Sequence, residues 1–249
     1  MAGQAAGVGL TTLTAPAKLT VSLRVTGVRV DGYHLIDAEM VSLDLADELT
    51  FSDGSGFEVV EGHHLGYVNP DDNLVGRALR AVGRQAHVAL RKRIPAGGGL
   101  GGGSSNAATV MRWAGCDDLA VAESLGADVP FCLRGGRARV TGIGEVLEPL
   151  PFEARTITLA MPPYGCSTPA VYAAWDDLGG PTADGPNDLE PAALVVEPRM
   201  AAFRDALGEA TGLTPQLAGS GSTWFVEGVF PGEGRIVART IPAYWSPPG

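Results

Sequence analysis

Between Gly97 and Gly103 only Leu100 interrupts a run of six glycines, and Ser104, Ser105 and Asn106 follow at once. No other stretch constrains the chain so sharply. A backbone without Cβ atoms can turn its N–H groups into one concave nest. The Ala107–Trp113 run behind it reads as a helix, whose first amides add positive character at the same spot. The combination predicts a cradle for a polyanion such as a phosphate tail. A flexible linker has similar composition, but here the apolar strand signal of Val88, Leu90 and Ile94 enters the run and a helix leaves it.

The two commonest nucleotide loops do not fit. A Walker loop needs Gly-Lys-Ser/Thr at its end, and no lysine follows these glycines. A dinucleotide-binding loop matches loosely in several frames, but it wants an acid after a second strand about twenty residues on. Asp117 and Asp118 sit instead in a turn-like Gly-Cys-Asp-Asp.

The 249 residues suffice for one large domain or two modest lobes. A net charge of −10 argues against bulk nucleic-acid binding, which wants a basic face. No apolar run is long enough to span a bilayer, and Met1–Thr14 lacks the basic residues of a signal peptide. The expectation is a cytoplasmic enzyme with no membrane partner. Cys116, Cys132 and Cys166 lack CxxC spacing, so they read as free thiols, with neither a disulfide framework nor a protein-held metal.

The organisation reads as two α/β lobes, residues 1–150 and 151–249, parted near Pro149 and Pro151. Residues 13–60 alternate as strands, with turn chemistry at Val30–Tyr33. Residues 72–83 read as a helix with a polar start, and 86–90 as a strand. In the second lobe 156–161 reads as a strand, 170–178 and 198–208 as helices, and short strands surround Trp224.

Six segments then occur in order: Ala15-Pro-Ala-Lys18-Leu19, Asp31-Gly-Tyr-His34, the glycine run, Gly126-Ala-Asp-Val-Pro-Phe131, Asn187-Asp-Leu-Glu190 and Gly219-Ser-Gly-Ser222. Together they resemble the GHMP kinase superfamily over about Ala15 to Gly228. The resemblance implies a two-lobed α/β (α+β) fold, with a ribosomal-protein-S5-like N-terminal lobe and a ferredoxin-like C-terminal lobe. It implies ATP with Mg2+ as phosphoryl donor and a small-molecule alcohol as acceptor, in a monomer or weak homodimer. The DGYH and GADVPF segments are similar to the branch acting on a cytidine diphosphate-linked methylerythritol, at its 2-hydroxyl, in isoprenoid biosynthesis. A homoserine- or mevalonate-type kinase, or a lapsed nucleotide-binding homologue, stands as the alternative.

Phosphoryl transfer asks for in-line positioning, charge neutralisation and a group near the attacking hydroxyl. Lys18, where a strand begins, and Asp128, an acid in an apolar setting, are the expected catalytic pair. By the same resemblance Tyr33 and Tyr172 would stack on the cytosine and His34 would read its edge. Thr168 and Tyr172 stand one helical turn apart. Lys92, Pro95, Gly97, Gly98, Gly99, Leu100, Gly101, Gly102, Gly103, Ser104, Ser105 and Asn106 would take ATP, with Asn69–Asn73 bordering the purine. Thr20 would contact the substrate. It departs from the family pattern, where an asparagine usually stands two residues after the lysine.

Overall fold

The computed structural model describes residues 9–62 and 73–244. Met1–Val8 and the purine-bordering residues Asn69–Asp72 lie outside them.

One long strand organises the sheet. β1 (Thr11–Val28) and β2 (His34–Ser52) form an antiparallel ribbon, closed by a turn in which Gly32 has φ 86°. That angle suits glycine and few other residues. The other edge of β2 is shared by three strands. β5 (Arg137–Gly142) pairs with its first third, β10 (Arg235–Ile241) with Ser42 and Leu43, and β4 (His87–Arg91) with its end. β3 (Gly56–Glu61) runs parallel to β4, and β6 (Val146–Pro149) completes a hairpin with β5. Beyond β10 follow β7 (Thr156–Ala160), β9 (Trp224–Glu227) and the two-residue β8 (Gln216–Leu217). The C-terminal strand thus links the strands of the first half to those of the second.

Helices cover the sheet. α1 (Leu74–Ala81) starts under Asn73, whose side chain accepts from the Val75 amide at 2.8 Å. α2 (Gly102–Trp113) packs with α3 (Leu119–Leu125) and α4 (Val129–Arg134) in a core that holds Phe51, Met111 and Phe131. Asp118 caps α3, accepting from the Ala120 amide at 2.8 Å, the cap's usual work. α5 (Thr168–Asp177), α6 (Glu190–Val196) and α7 (Met200–Thr211) pack in a second core around Val171, Trp175 and Trp224. A third core joins β1 and β2 to β7 and β9 through Leu19, Leu43, Leu159 and Phe225.

Two sequence expectations need adjustment. α2 begins five residues earlier than its composition suggested, inside the glycine run, so Ser104, Ser105 and Asn106 are helical. Glycine's poor helix propensity hid the first turn. α6 falls in a segment where only the Asn187–Glu190 motif had drawn notice. Seven residues with a proline in the first turn give little periodic signal.

Candidate active site

β1 is interrupted by bulges between Pro16 and Lys18 and between Thr20 and Ser22. Bulges re-aim side chains, and the two between them frame Lys18 and Thr20. Lys18 is only 6% exposed. Its Nζ donates to Thr20 Oγ1 at 3.2 Å and pairs with Asp128 Oδ2 at 3.2 Å. Its aliphatic stem lies against Gly101: a Cβ there would stand 2.6 Å from Lys18 Cγ. Gly101 precedes α2 in the left-handed region, φ 66°, where a side chain costs about 1–2 kcal/mol. Lys18 and the glycine run are therefore packed as one unit. The bond from the Lys18 amide to the Leu100 carbonyl, 3.0 Å, fastens them.

Asp128 occupies the N-cap position of α4 without making a side-chain cap bond. Its carboxylate is turned toward Lys18 instead. The Tyr172 hydroxyl is held well above the usual phenol range, by burial first and then by the charge of Asp128. The buried Cys132 thiol is pushed up to about 12 by burial and again by Asp128, which makes it unreactive at neutral pH.

Lys18, Asp128 and Tyr172 face one cavity of about 670 Å³. Lys18, Thr20, Asp128, Thr168 and Tyr172 line it together with Lys92, Pro95, Gly97–Gly103, Ser104 and Asn106. The first amides of α2 have no acceptor one turn back, and Gly101 offers no capping side chain. The Oδ1 atom of Asn106 is buried without a hydrogen-bond partner among the described residues. Ser105 departs from the set. It is fully buried and its Oγ donates to the Pro16 carbonyl at 2.7 Å, tying α2 to β1.

Tyr33 and His34, expected side by side, are split. Tyr33 ends the turn and is 58% exposed, with Arg29 over its ring at 5.8 Å. His34 opens β2, and successive strand residues point to opposite sides. Its ring lies against Tyr172, tilted by 31°, with centroids 4.6 Å apart. Neither lines the main cavity, though Tyr172, against which the His34 ring lies, does.

A second glycine loop closes the floor. Asn187 Nδ2 donates to the carbonyls of Leu217 and Gly219, at 2.8 and 2.7 Å. Thr168 and Ser220, which both line the cavity, share a hydroxyl contact of 2.8 Å. A Cβ on Gly99 would meet the Ala218 and Gly221 carbonyls at 2.7 and 2.8 Å, so the two loops touch backbone to backbone.

Asp47 was missed. It is wholly buried and its Oδ1 accepts from the Arg93 and Ile94 amides at 2.7 and 2.8 Å. Its Oδ2 holds Lys92 Nζ at 2.6 Å, and Lys92 also donates to the Ile94 carbonyl. A Cβ on Gly102 would come within 2.7 Å of that Nζ, so Asp47 holds a cation at the start of α2. The parity of β2 carried the signal: Leu43, Leu45, Leu49 and Phe51 define an apolar face on which Asp47 falls. By contrast Arg91 and Arg93 pair with surface acids, Glu48 among them.

Residues 73–136 match the GHMP kinases N terminal domain. The chain is 37% identical to a 4-diphosphocytidyl-2-C-methyl-D-erythritol kinase of Paracoccus denitrificans, over 93% of each chain. It is 40% identical to one from Xanthomonas axonopodis pv. citri, over 86% of this chain and 80% of that one. The chain belongs to this kinase family. A crystal structure of 4-(cytidine 5'-diphospho)-2C-methyl-D-erythritol kinase superposes with a TM-score of 0.73 at 30% identity, covering 92% of this chain and 99% of that one. A mevalonate kinase structure, at 11% identity and a TM-score of 0.58, shares the fold. The protein is thus an ATP-dependent small-molecule kinase with the GHMP fold. Among the described residues no helix is long and apolar enough to cross a membrane.

Proposed function

We propose that this chain transfers the γ-phosphoryl group of ATP to the 2-hydroxyl of 4-diphosphocytidyl-2-C-methyl-D-erythritol, in non-mevalonate isoprenoid biosynthesis. The Lys18–Asp128 pair, 3.2 Å apart and facing the glycine cradle in one cavity, carries the reading. Asp128 orients the acceptor hydroxyl and takes its proton. Lys18 holds Asp128 and offsets negative charge on the group in transit. Thr20, in the place of the family's asparagine, keeps one hydrogen bond to Lys18 and so steadies the pair.

The residues fit a magnesium triphosphate. Without side chains at Gly101 and Gly102 the backbone comes close to Lys18 and Lys92, which brings two cations to the cradle, and the buried Asn106 Oδ1 supplies an unused acceptor beside it. A bound Mg2+ supplies charge neutralisation of the phosphates. Lys92, held by Asp47, and the first amides of α2 bind the phosphates. Tyr172 offers its ring to the cytosine.

The test is ADP release with 4-diphosphocytidyl-2-C-methyl-D-erythritol beside homoserine and mevalonate. Turnover with the cytidine compound alone supports the reading, and turnover only with either of the others replaces it. ATP binding without turnover on any of them means a lapsed kinase.

Two variants probe the halves of the cavity. Gly101→Ala places a side chain at positive φ against Lys18, and ATP affinity measured by calorimetry should fall about tenfold, matching about 1–2 kcal/mol of strain. An unchanged constant in a folded variant removes this loop from phosphate binding. Tyr172→Ala should raise KM for the cytidine substrate about tenfold or more, since base stacking is worth about 1–3 kcal/mol, and spare KM for ATP. Equal loss of both would point to misfolding.

A further inference from the structure

We infer that Asn187 is a positioning residue for phosphoryl transfer: it ties the second glycine loop to β1 and so seats the Lys18–Thr20 pair. The inference rests on the reading of Lys18 as a catalytic residue and is independent of the acceptor's identity. The Asn187-Asp-Leu-Glu190 motif contributes no residue to the lining of the cavity. Asn187 is nonetheless buried, at 2% exposure, and its amide is fully used. The two hydrogens of Nδ2 go to the Leu217 and Gly219 carbonyls, and Oδ1 accepts from the Leu189 amide at 3.0 Å. Gripping two carbonyls two residues apart fixes the turn between them, where Gly219 takes φ 61°. No other side chain of that length offers two donors beside an acceptor.

The main chain around Asn187 is fastened to the strand that carries the pair. The Leu23 amide donates to the Pro186 carbonyl at 2.9 Å, and the Asp188 amide donates to the Leu23 carbonyl at 2.9 Å. The buried Asp188 carboxylate secures the stitch. It accepts from the Val25 amide at 3.0 Å, from Arg24 at 2.7 Å and from the Ala183 amide at 2.9 Å. Gly219 closes the circuit. A Cβ on it would lie 3.4 Å from Thr20 Oγ1 and 3.9 Å from Lys18 Nζ, so one carbon's space separates the loop backbone from the pair. The path runs from β1 through Asn187 to the loop and returns to β1 at Thr20. Freed from the Asn187 amide, the loop can drift from the pair, and a misplacement of about 1 Å can cost 10²-fold in rate. The first glycine run keeps its own bond from the Lys18 amide to the Leu100 carbonyl, so the loss falls on the chemistry more than on ATP binding.

The experiment is a double-mutant cycle, with melting curves as folding controls. Asn187→Asp keeps the size and the acceptor for the Leu189 amide but sets a carboxylate against two carbonyls. Measured by ADP release with whichever acceptor the wild type turns over, kcat should fall about tenfold to a hundredfold. ATP affinity by calorimetry should fall less. In a Lys18→Met background the same substitution should cost less than about twofold, because residues that act through one another are not additive. Gly219→Ala sets a methyl group against the pair from the loop side. It should show the same pattern, and it carries the test if Asn187→Asp does not fold. An equal factor lost in both backgrounds overturns the inference, since it reduces Asn187 to general stability. So does wild-type kcat in folded Asn187→Asp. Wild-type kcat in Lys18→Met, or no turnover by the wild type, overturns the reading of Lys18 and this inference with it.

Discussion

Asp128→Asn should lower kcat at least about a hundredfold, the usual contribution of a positioned acid–base group, and leave ATP binding near the wild-type value. Asparagine keeps the shape but can neither take the hydroxyl's proton nor balance the charge of Lys18. The structural cost should be small, because the Asp128 side chain is 32% exposed and makes no cap bond to α4. That separation is what makes the variant informative. Calorimetry with ATP, a melting curve and a steady-state assay on the cytidine substrate together decide it. Turnover at the wild-type level would remove Asp128 from the chemistry, and lost ATP affinity would make it a general organiser of the cavity instead.

The path from sequence to site was open where one short pattern dictates one local geometry. The glycine run could hardly be other than a close-approach loop, and at Gly99 and Gly101 the neighbouring atoms leave no space for a Cβ. The alternation of β1 and β2 was equally plain. The bulges on either side of Lys18 were not, since a bulge depends on which residue of the partner strand stands opposite. The adjacency of Tyr33 and His34 misled for a related reason. Where the turn ends and the strand begins decides which way each ring points, and β2 starts at His34. β10 shows the limit most clearly. Its alternation is visible locally, yet nothing within seven residues says that it will pair with β2 on one side and β7 on the other.

Asp47 and Asp176 teach a finer lesson. Both are acids that hold another candidate site residue, Lys92 in one case and His34 in the other. A motif search finds residues that touch ligands more readily than residues that hold them. For Asp47 the strand's parity held the clue, because a carboxylate on a buried face needs several donors and has three. For Asp176 helical spacing from Tyr172 put it on the right face, but its partner lies 142 residues away in sequence.

Lys18→Met should cost about 10²–10³ in kcat, the range seen when one preorganised donor to developing charge is removed. Methionine keeps most of the stem that lies against Gly101, so the glycine cradle should hold its form and the loss should report the charge. The double variant Lys18→Met, Asp128→Asn separates two mechanisms that the single variants cannot. If Lys18 acts mainly by holding Asp128, removing both should cost little more than removing the worse one, as coupled residues do. If Lys18 also meets the phosphoryl group in transit, the losses should approach the product of the two. The 3.2 Å contacts to Asp128 and Thr20 occupy two of the three ammonium donors. The third is left for the phosphoryl group, so the expected result lies between the limits, closer to the product. A double variant no worse than either single one would reduce Lys18 to a holder of Asp128.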